Sequence, residues 1–158
     1  MPIELEFPTL YKAAFTHPAI DNHAHPLLRA EMRNEFPFEG VISEAENQAL
    51  LEDAPLTLAC FRATKQLSRL YGLKENDVSW EAIKKHRDTL DYEELCTLCF
   101  KHSGISCILV DDGLGASLSL GESYKWFDRF TNGQAKRLVR IEFVAEVCIE
   151  IENGRPVS

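Results

Sequence analysis

Residues 20–26, with the sequence IDNHAHP, form a short segment that ends in a His-x-His pair. The segment is typical of a buried strand, and a strand alternates its side chains between two faces, so Asp21, His23 and His25 are predicted to share one face. Two imidazoles on one face can both reach one metal ion, and neutral imidazole is a common zinc ligand. The motif predicts part of a metal site, with two solvated histidines at a strand end as the alternative.

Composition limits the class of protein. The length of 158 residues predicts a single domain over residues 1–158. The net charge of −8 argues against a nucleic-acid partner, because binding to nucleic acid requires a basic surface. The chain contains neither an apolar run of membrane-spanning length nor the basic, apolar start of a signal peptide, so no membrane partner is expected. Five cysteines without an export signal indicate free thiols in a reducing compartment, which predicts a cytoplasmic protein.

Apolar patterning divides the chain into alternating helices and strands. The predicted strands cover residues 19–25, 105–110 and 137–142, and a long irregular connection over residues 26–53 follows the first of them. Helices are predicted over residues 8–16, 53–72, 79–87, 91–103, 124–130 and 143–152. Alternating elements of this kind predict an α/β fold with parallel strands joined by covering helices.

Polar residues gather where the predicted strands end. In a parallel sheet the chemistry concentrates at the carboxyl ends of the strands. His23 and His25 end the first strand, Asp111 and Asp112 follow the second, and Arg140 and Glu142 end the third. We interpret Asp111, Asp112, Arg140 and Glu142 as candidate substrate-binding residues. The alternative for the two aspartates is a turn, because Asp before Gly commonly turns the chain.

A second candidate ligand string consists of Cys96, Cys99 and His102. It lies within a helical pattern and no second ligand pair follows at finger spacing, so core packing is favoured over zinc binding. A nucleophilic serine or cysteine enzyme is disfavoured because the chain has no G-x-S-x-G motif and its cysteines fall in apolar helical or strand positions.

Several motifs together resemble a known family. The segments IDNHAHPLL, ILVDDGL, WFDRFT and KRLVRIEFVAE resemble the amidohydrolase-related metal-dependent hydrolases, in particular the amidohydrolase half of fungal fusion proteins that also carry a glutamine synthetase domain. The resemblance implies a TIM (β/α)8 barrel whose first strand binds a divalent metal, here zinc, through His23 and His25. It also implies hydrolysis of an amide-like carbon–nitrogen bond in a small-molecule substrate.

The resemblance covers only the start of such a barrel. A complete barrel needs roughly 250 residues, so this chain would form its first three β/α units and would lack the later metal ligands and the catalytic base. We therefore expect a truncated family member, name no catalytic residue, and leave open whether it is an enzyme. The alternative is a non-catalytic binding or regulatory remnant that associates with a full-length homologue. The open sheet edges predict self-association.

Overall fold

A computed structural model describes residues 3–74, 78–113 and 117–152. The chain divides into two compact units, one formed by Met1–Arg29 with Ser103–Ser158 and the other by Ala30–His102. The helices and strands are, in chain order, α1 (Ile3–Glu6), α2 (Pro8–Phe15), β1 (Ala19–Ala24), α3 (Asn47–Glu52), α4 (Leu58–Leu70), α5 (Trp80–Thr89), α6 (Tyr92–Ser103), β2 (Ile105–Val110), α7 (Ser117–Leu120), β3 (Ala135–Arg137) and α8 (Ile141–Glu152). Short 3-10 helices cover Ala30–Met32, Phe38–Val41, Ala54–Leu56 and Tyr124–Arg129.

The first unit contains a parallel sheet of strand order β1-β2-β3. Ala24 at the end of β1 pairs with Val110 at the end of β2, and Val110 pairs with Arg137 at the end of β3. The carboxyl ends of all three strands therefore lie along one edge of the sheet. Ile108, Val110, Phe127 and Ala135 are buried in this unit, which anchors β2 at the centre of the sheet.

The third strand differs from the one predicted from the sequence. The sequence predicted a strand over residues 137–142, but β3 ends at Arg137 and α8 begins at Ile141. Leu138 still donates its backbone N–H to Val110 at 2.8 Å, and Val144 donates to the Arg140 carbonyl at 3.3 Å. The helical pattern that starts at Ile141 therefore prevails over the predicted strand, and neither Arg140 nor Glu142 lies on a strand.

The barrel expectation is contradicted as well. The described residues form an open three-stranded sheet in a mixed α/β arrangement, and they do not show three successive β/α units. The segment between β1 and β2 supplies the second compact unit instead of a single crossover helix.

The second unit packs its helices around a small apolar core. Cys60, Trp80 and Ile83 are buried together, and the partly buried residues packed against them are Phe38, Ile42, Ala63, Leu67, Tyr71 and Leu73. The predicted long connection is partly ordered here, because Ala30–Met32, Phe38–Val41 and α3 all fall within it. Arg33 ties it to α5 by donating to the Asp88 carbonyl at 2.8 Å.

Local signals explain most helix boundaries. The Ser79 hydroxyl caps α5 by accepting from the Ala82 N–H at 3.1 Å, and Thr57 caps α4 by accepting from Cys60 at 3.2 Å. Gly72 follows α4 with a φ of +67°, and Gly104 follows α6 with a φ of +68°, a conformation that favours glycine. Asp53 was the predicted start of the long helix, but a 3-10 turn over Ala54–Leu56 intervenes. In the described part of the chain, no helix has the length and apolar character needed to cross a membrane.

Candidate metal centre

The candidate site lies where β1 and β2 end, within the first unit. The backbone N–H of Asp111 donates to the Ala24 carbonyl at 2.8 Å, which extends the ladder by one step beyond the strands. This bond places Asp111 beside the residues that flank Ala24, which are His23 and His25. The register of the two strands thus brings together residues separated by almost 90 positions in sequence.

The two imidazoles lie close to each other and to Asp111. Their ring centroids are 5.3 Å apart, and Nε2 of His23 lies 3.2 Å from Oδ2 of Asp111. Nδ1 of His25 lies 3.3 Å from the Asp111 backbone carbonyl oxygen, which can only accept. His25 therefore donates from Nδ1, and its Nε2 keeps the lone pair that a metal ion requires.

Asp21, which was predicted to share a strand face with the two histidines, lies outside the cluster. Its Oδ1 accepts from the backbone N–H of His23 at 3.2 Å, and the pairing of β1 with β2 is irregular between Asp21 and Ala24. A ring nitrogen of each histidine and a carboxylate oxygen of Asp111 all lie within 4.8 Å of one another. Asp111 therefore supplies the carboxylate of the cluster.

Asp111 is an almost completely buried carboxylate, with 1% of its surface exposed. Arg140 donates from Nε to Oδ1 and Oδ2 at 3.0 Å each and from Nη2 to Oδ2 at 2.7 Å. The Gly113 N–H donates to Oδ1 at 3.1 Å. Hydrogen bonds from Arg140, and lesser ones from Gly113 and His23, outweigh burial and hold the pKa of Asp111 well below its usual range. The carboxylate is therefore ionised at neutral pH, as a metal ligand must be.

The other candidate residues separate from this cluster. Asp112 accepts from Nε of Arg137 at 2.9 Å, in a more exposed ion pair. Glu142 lies in the first turn of α8, where its side chain is exposed and its charge adds to the elevation of the Arg140 pKa caused chiefly by Asp111. Of the four residues predicted to bind substrate, the structure unites Asp111 and Arg140.

Cys96, Cys99 and His102 all lie on α6. Cys96 is buried, Cys99 is half-buried and His102 is exposed, and burial raises the pKa of the Cys99 thiol. All three residues are described, and none belongs to a group of metal-ligating side chains.

Comparison with known proteins finds a relative in a fungus. The chain is 42% identical over 149 residues to protein fluG of Emericella nidulans, a match that covers 90% of this chain and 16% of the relative. The chain thus spans about one sixth of the length of the curated relative that it matches. No family model matches the chain, and no solved structure matches it.

These comparisons correct the family assignment made from sequence. The similarity is to protein fluG, a name that states no reaction, and no family model supports an amidohydrolase. The predicted membership of the amidohydrolase-related hydrolases and the predicted hydrolysis of carbon–nitrogen bonds are therefore contradicted, as the open sheet already contradicts the TIM barrel. The motif KRLVRIEFVAE, which contributed to the resemblance, spans the end of β3 and the start of α8, where the predicted strand does not form.

Sequence reasoning missed the two contacts that define the cluster. Asp111 was interpreted as a substrate-binding or turn residue, and its role beside His23 and His25 required the register of β1 with β2. The approach of Arg140 to Asp111 depends on the connection between β3 and α8. The sequence did carry one signal for this site. Polar and charged residues follow each predicted strand, and the carboxyl ends of parallel strands lie along one edge of a sheet.

Proposed function

We propose that this chain binds one divalent transition-metal ion, with zinc as the expected metal, through His23, His25 and Asp111. The observation that carries the proposal is the gathering of two imidazole nitrogens and one carboxylate oxygen within 4.8 Å. Three protein ligands of this kind are typical of zinc sites that leave one position open.

The distances and the ligand chemistry support this assignment. Zinc–nitrogen and zinc–oxygen bonds of about 2.0–2.2 Å in tetrahedral geometry place ligand atoms about 3.4 Å apart. His23 Nε2 and Asp111 Oδ2 are 3.2 Å apart, so small side-chain movements suffice to seat an ion. Two imidazoles favour zinc, copper, nickel or cobalt over magnesium and calcium, which prefer oxygen ligands.

The environment of the ligands supports the proposal further. Metal-binding histidines commonly donate their second ring N–H to a backbone carbonyl, as His25 does with Asp111. Half of the His23 side chain is exposed, with 54% of its surface accessible, so an ion and a fourth ligand can reach the cluster from solvent. In this proposal the open fourth position takes water or a small molecule, and the chain functions in the cytoplasm, in line with its free thiols.

Metal analysis of the purified chain tests the proposal. The test variant is His23→Ala/His25→Ala, and the matched control is His17→Ala/His102→Ala, which removes two exposed histidines outside the cluster. After dialysis of each protein against a buffer with a trace of zinc, we expect one equivalent of bound zinc in the wild type and in the control, and none in the test variant. Absence of bound metal from the wild type, or retention of metal by the test variant, would overturn the proposal.

A second candidate function is association with another protein chain. Neither α2 nor α8 contains a buried residue, and large apolar side chains such as Phe15, Ile20 and Ile141 are exposed in the first unit. The strands β1 and β3 are the sheet edges, and exposed edges pair readily with other chains.

We propose self-association through these surfaces, with a longer homologue as the alternative partner. Light scattering during size exclusion, across a hundredfold dilution series, tests it. A dimer or larger species that Ile141→Glu dissociates is expected. A monomer throughout the dilution series would exclude self-association, and the mixture with a longer homologue would then be tested directly.

A further inference from the structure

Arg140 and a bound metal ion would require the same carboxylate oxygen. Nη2 of Arg140 lies 2.7 Å from Oδ2 of Asp111, and the same oxygen is 3.2 Å from Nε2 of His23. The other oxygen, Oδ1, accepts from Nε of Arg140 and from the Gly113 N–H. An ion seated between His23 and Asp111 would meet a guanidinium that already neutralises the carboxylate.

We propose that Arg140 is an internal competitor that weakens metal binding at His23, His25 and Asp111. This inference rests on the proposed metal site and adds a residue that sets its affinity. A cation at Oδ2 would share that oxygen with the guanidinium, whose positive charge repels the ion and already neutralises the carboxylate, so the gain from its bond to Asp111 is reduced. Ions that bind imidazole strongly keep two further ligands, whereas magnesium and calcium would depend on the carboxylate that Arg140 already holds.

Gly113 provides an independent observation. A Cβ atom added at this position would lie 3.0 Å from Cδ and 3.2 Å from Nε of Arg140, and 3.2 Å from Oδ1 of Asp111. The absence of a side chain at Gly113 therefore lets the Arg140 stem pass close to the turn after β2. The φ angle of Gly113 is not in the left-handed region, so alanine is compatible with the backbone. Gly113→Ala keeps all three proposed ligand residues and should push the Arg140 stem away from the turn, while its Cβ also approaches Oδ1 of Asp111, the oxygen that is not assigned to the ion.

Zinc titrations of the full chain in competition with a chromophoric chelator test the inference. The test variants are Arg140→Gln and Gly113→Ala, and the matched control is Arg137→Gln, which breaks the neighbouring ion pair with Asp112. We expect the zinc dissociation constant to fall about tenfold or more in both test variants, because a hydrogen-bonded charged competitor is removed or moved. The control should stay within about twofold of the wild type.

The direction of the change separates the possible roles of Arg140. A residue that only supports the fold or orients Asp111 would leave zinc binding weaker or unchanged when replaced, and that result in Arg140→Gln would overturn the inference while the proposed metal site stands. Zinc binding by Arg140→Gln and Gly113→Ala with none by the wild type would support the inference and would overturn the proposed function of the wild-type chain. No zinc binding by any of the three would overturn both. Circular dichroism melts establish that each variant is folded.

Discussion

The guanidinium of Arg140 lies across the carboxylate of Asp111, with Nε 3.0 Å from both oxygens and Nη2 2.7 Å from Oδ2. Asp111 directly follows β2, while Arg140 occupies the connection that leads from β3 to α8. The contact therefore joins two strand ends at the edge of the sheet where His23 and His25 also lie. It explains how a nearly fully buried carboxylate stays ionised beside two imidazoles.

Replacement of Asp111 tests its proposed role as a ligand. Asp111→Asn keeps the shape of the side chain but removes the charge and one strong oxygen donor, so zinc affinity should fall about tenfold or more. Arg140 also loses its counter-ion, and the melting temperature should decrease. Isothermal titration with zinc measures the first effect and circular dichroism the second.

The matched control is Asp112→Asn, which removes the adjacent carboxylate and its pair with Arg137. Its zinc affinity should remain within about twofold of the wild type, because Asp112 lies outside the cluster. Equal losses in the two variants would argue that only the local charge matters, and that Asp111 is not a ligand.

Glu39 is expected to stabilise the second unit. Its buried carboxylate accepts from Trp80 Nε1 at 3.0 Å and from Lys84 Nζ at 2.8 Å. Glu39→Ala would leave a buried indole N–H without its acceptor and should cost about 2–4 kcal/mol of unfolding free energy. Urea denaturation followed by circular dichroism measures this loss.

Glu81 supplies the comparison for that variant, because its exposed carboxylate lies 2.9 Å from the same Lys84 nitrogen. Glu81→Ala should change the unfolding free energy by about 0.5 kcal/mol or less, as is usual for surface pairs. A loss as large as that of Glu39→Ala would show that the lysine pair, and not burial, dominates.

The same residue predicts how stability depends on pH. Burial raises the pKa of Glu39, but hydrogen bonds from Lys84 and Trp80 outweigh it, so the net pKa lies below the ordinary value. Because the folded pKa is lower than the unfolded value of about 4.3, the stabilisation is fully present above that pH and is lost as the pH falls through the folded pKa. In urea titrations between pH 6 and 3, wild type should lose more stability than Glu39→Gln, and parallel curves would contradict this account.

The start of α5 offers a test of the local signals. The Ser79 hydroxyl accepts from the Ala82 N–H at 3.1 Å, so Ser79→Ala should cost about 1 kcal/mol of unfolding free energy. Ser79→Asp keeps a capping oxygen and adds a charge that suits a helix N-terminus, and it should match or exceed the wild type. If both variants lost the same amount, the cap would not be the cause.

Local signals in the sequence predicted the elements whose determinants lie within a few residues. The strands ending near His25 and Val110, the cap at Ser79 and the glycine at position 104 all follow from short patterns. The prediction of the third strand was wrong in its bounds, because residues 141 and 142 belong to the apolar helical pattern of α8 and the strand covers Ala135–Arg137. The helical pattern prevails once α8 extends to Glu152.

The candidate site likewise contains residues that local patterns predicted and residues that only the tertiary structure brings in. The His-x-His pair was visible as a possible ligand set, but the third ligand required the register of β1 with β2, which no local pattern specifies. The Arg140 contact required the path of the chain after β3. Motif resemblance suggested a reaction class and a barrel, and both were corrected because several short matches do not fix either the family or the topology.

The most direct test of the metal centre is an anomalous difference map collected at the zinc edge from crystals of the full chain grown with zinc. The account predicts one peak about 2.0–2.2 Å from a ring nitrogen of His23, a ring nitrogen of His25 and a carboxylate oxygen of Asp111. A crystal with no peak at these residues, or with its zinc on Cys99 and His102 instead, would contradict it.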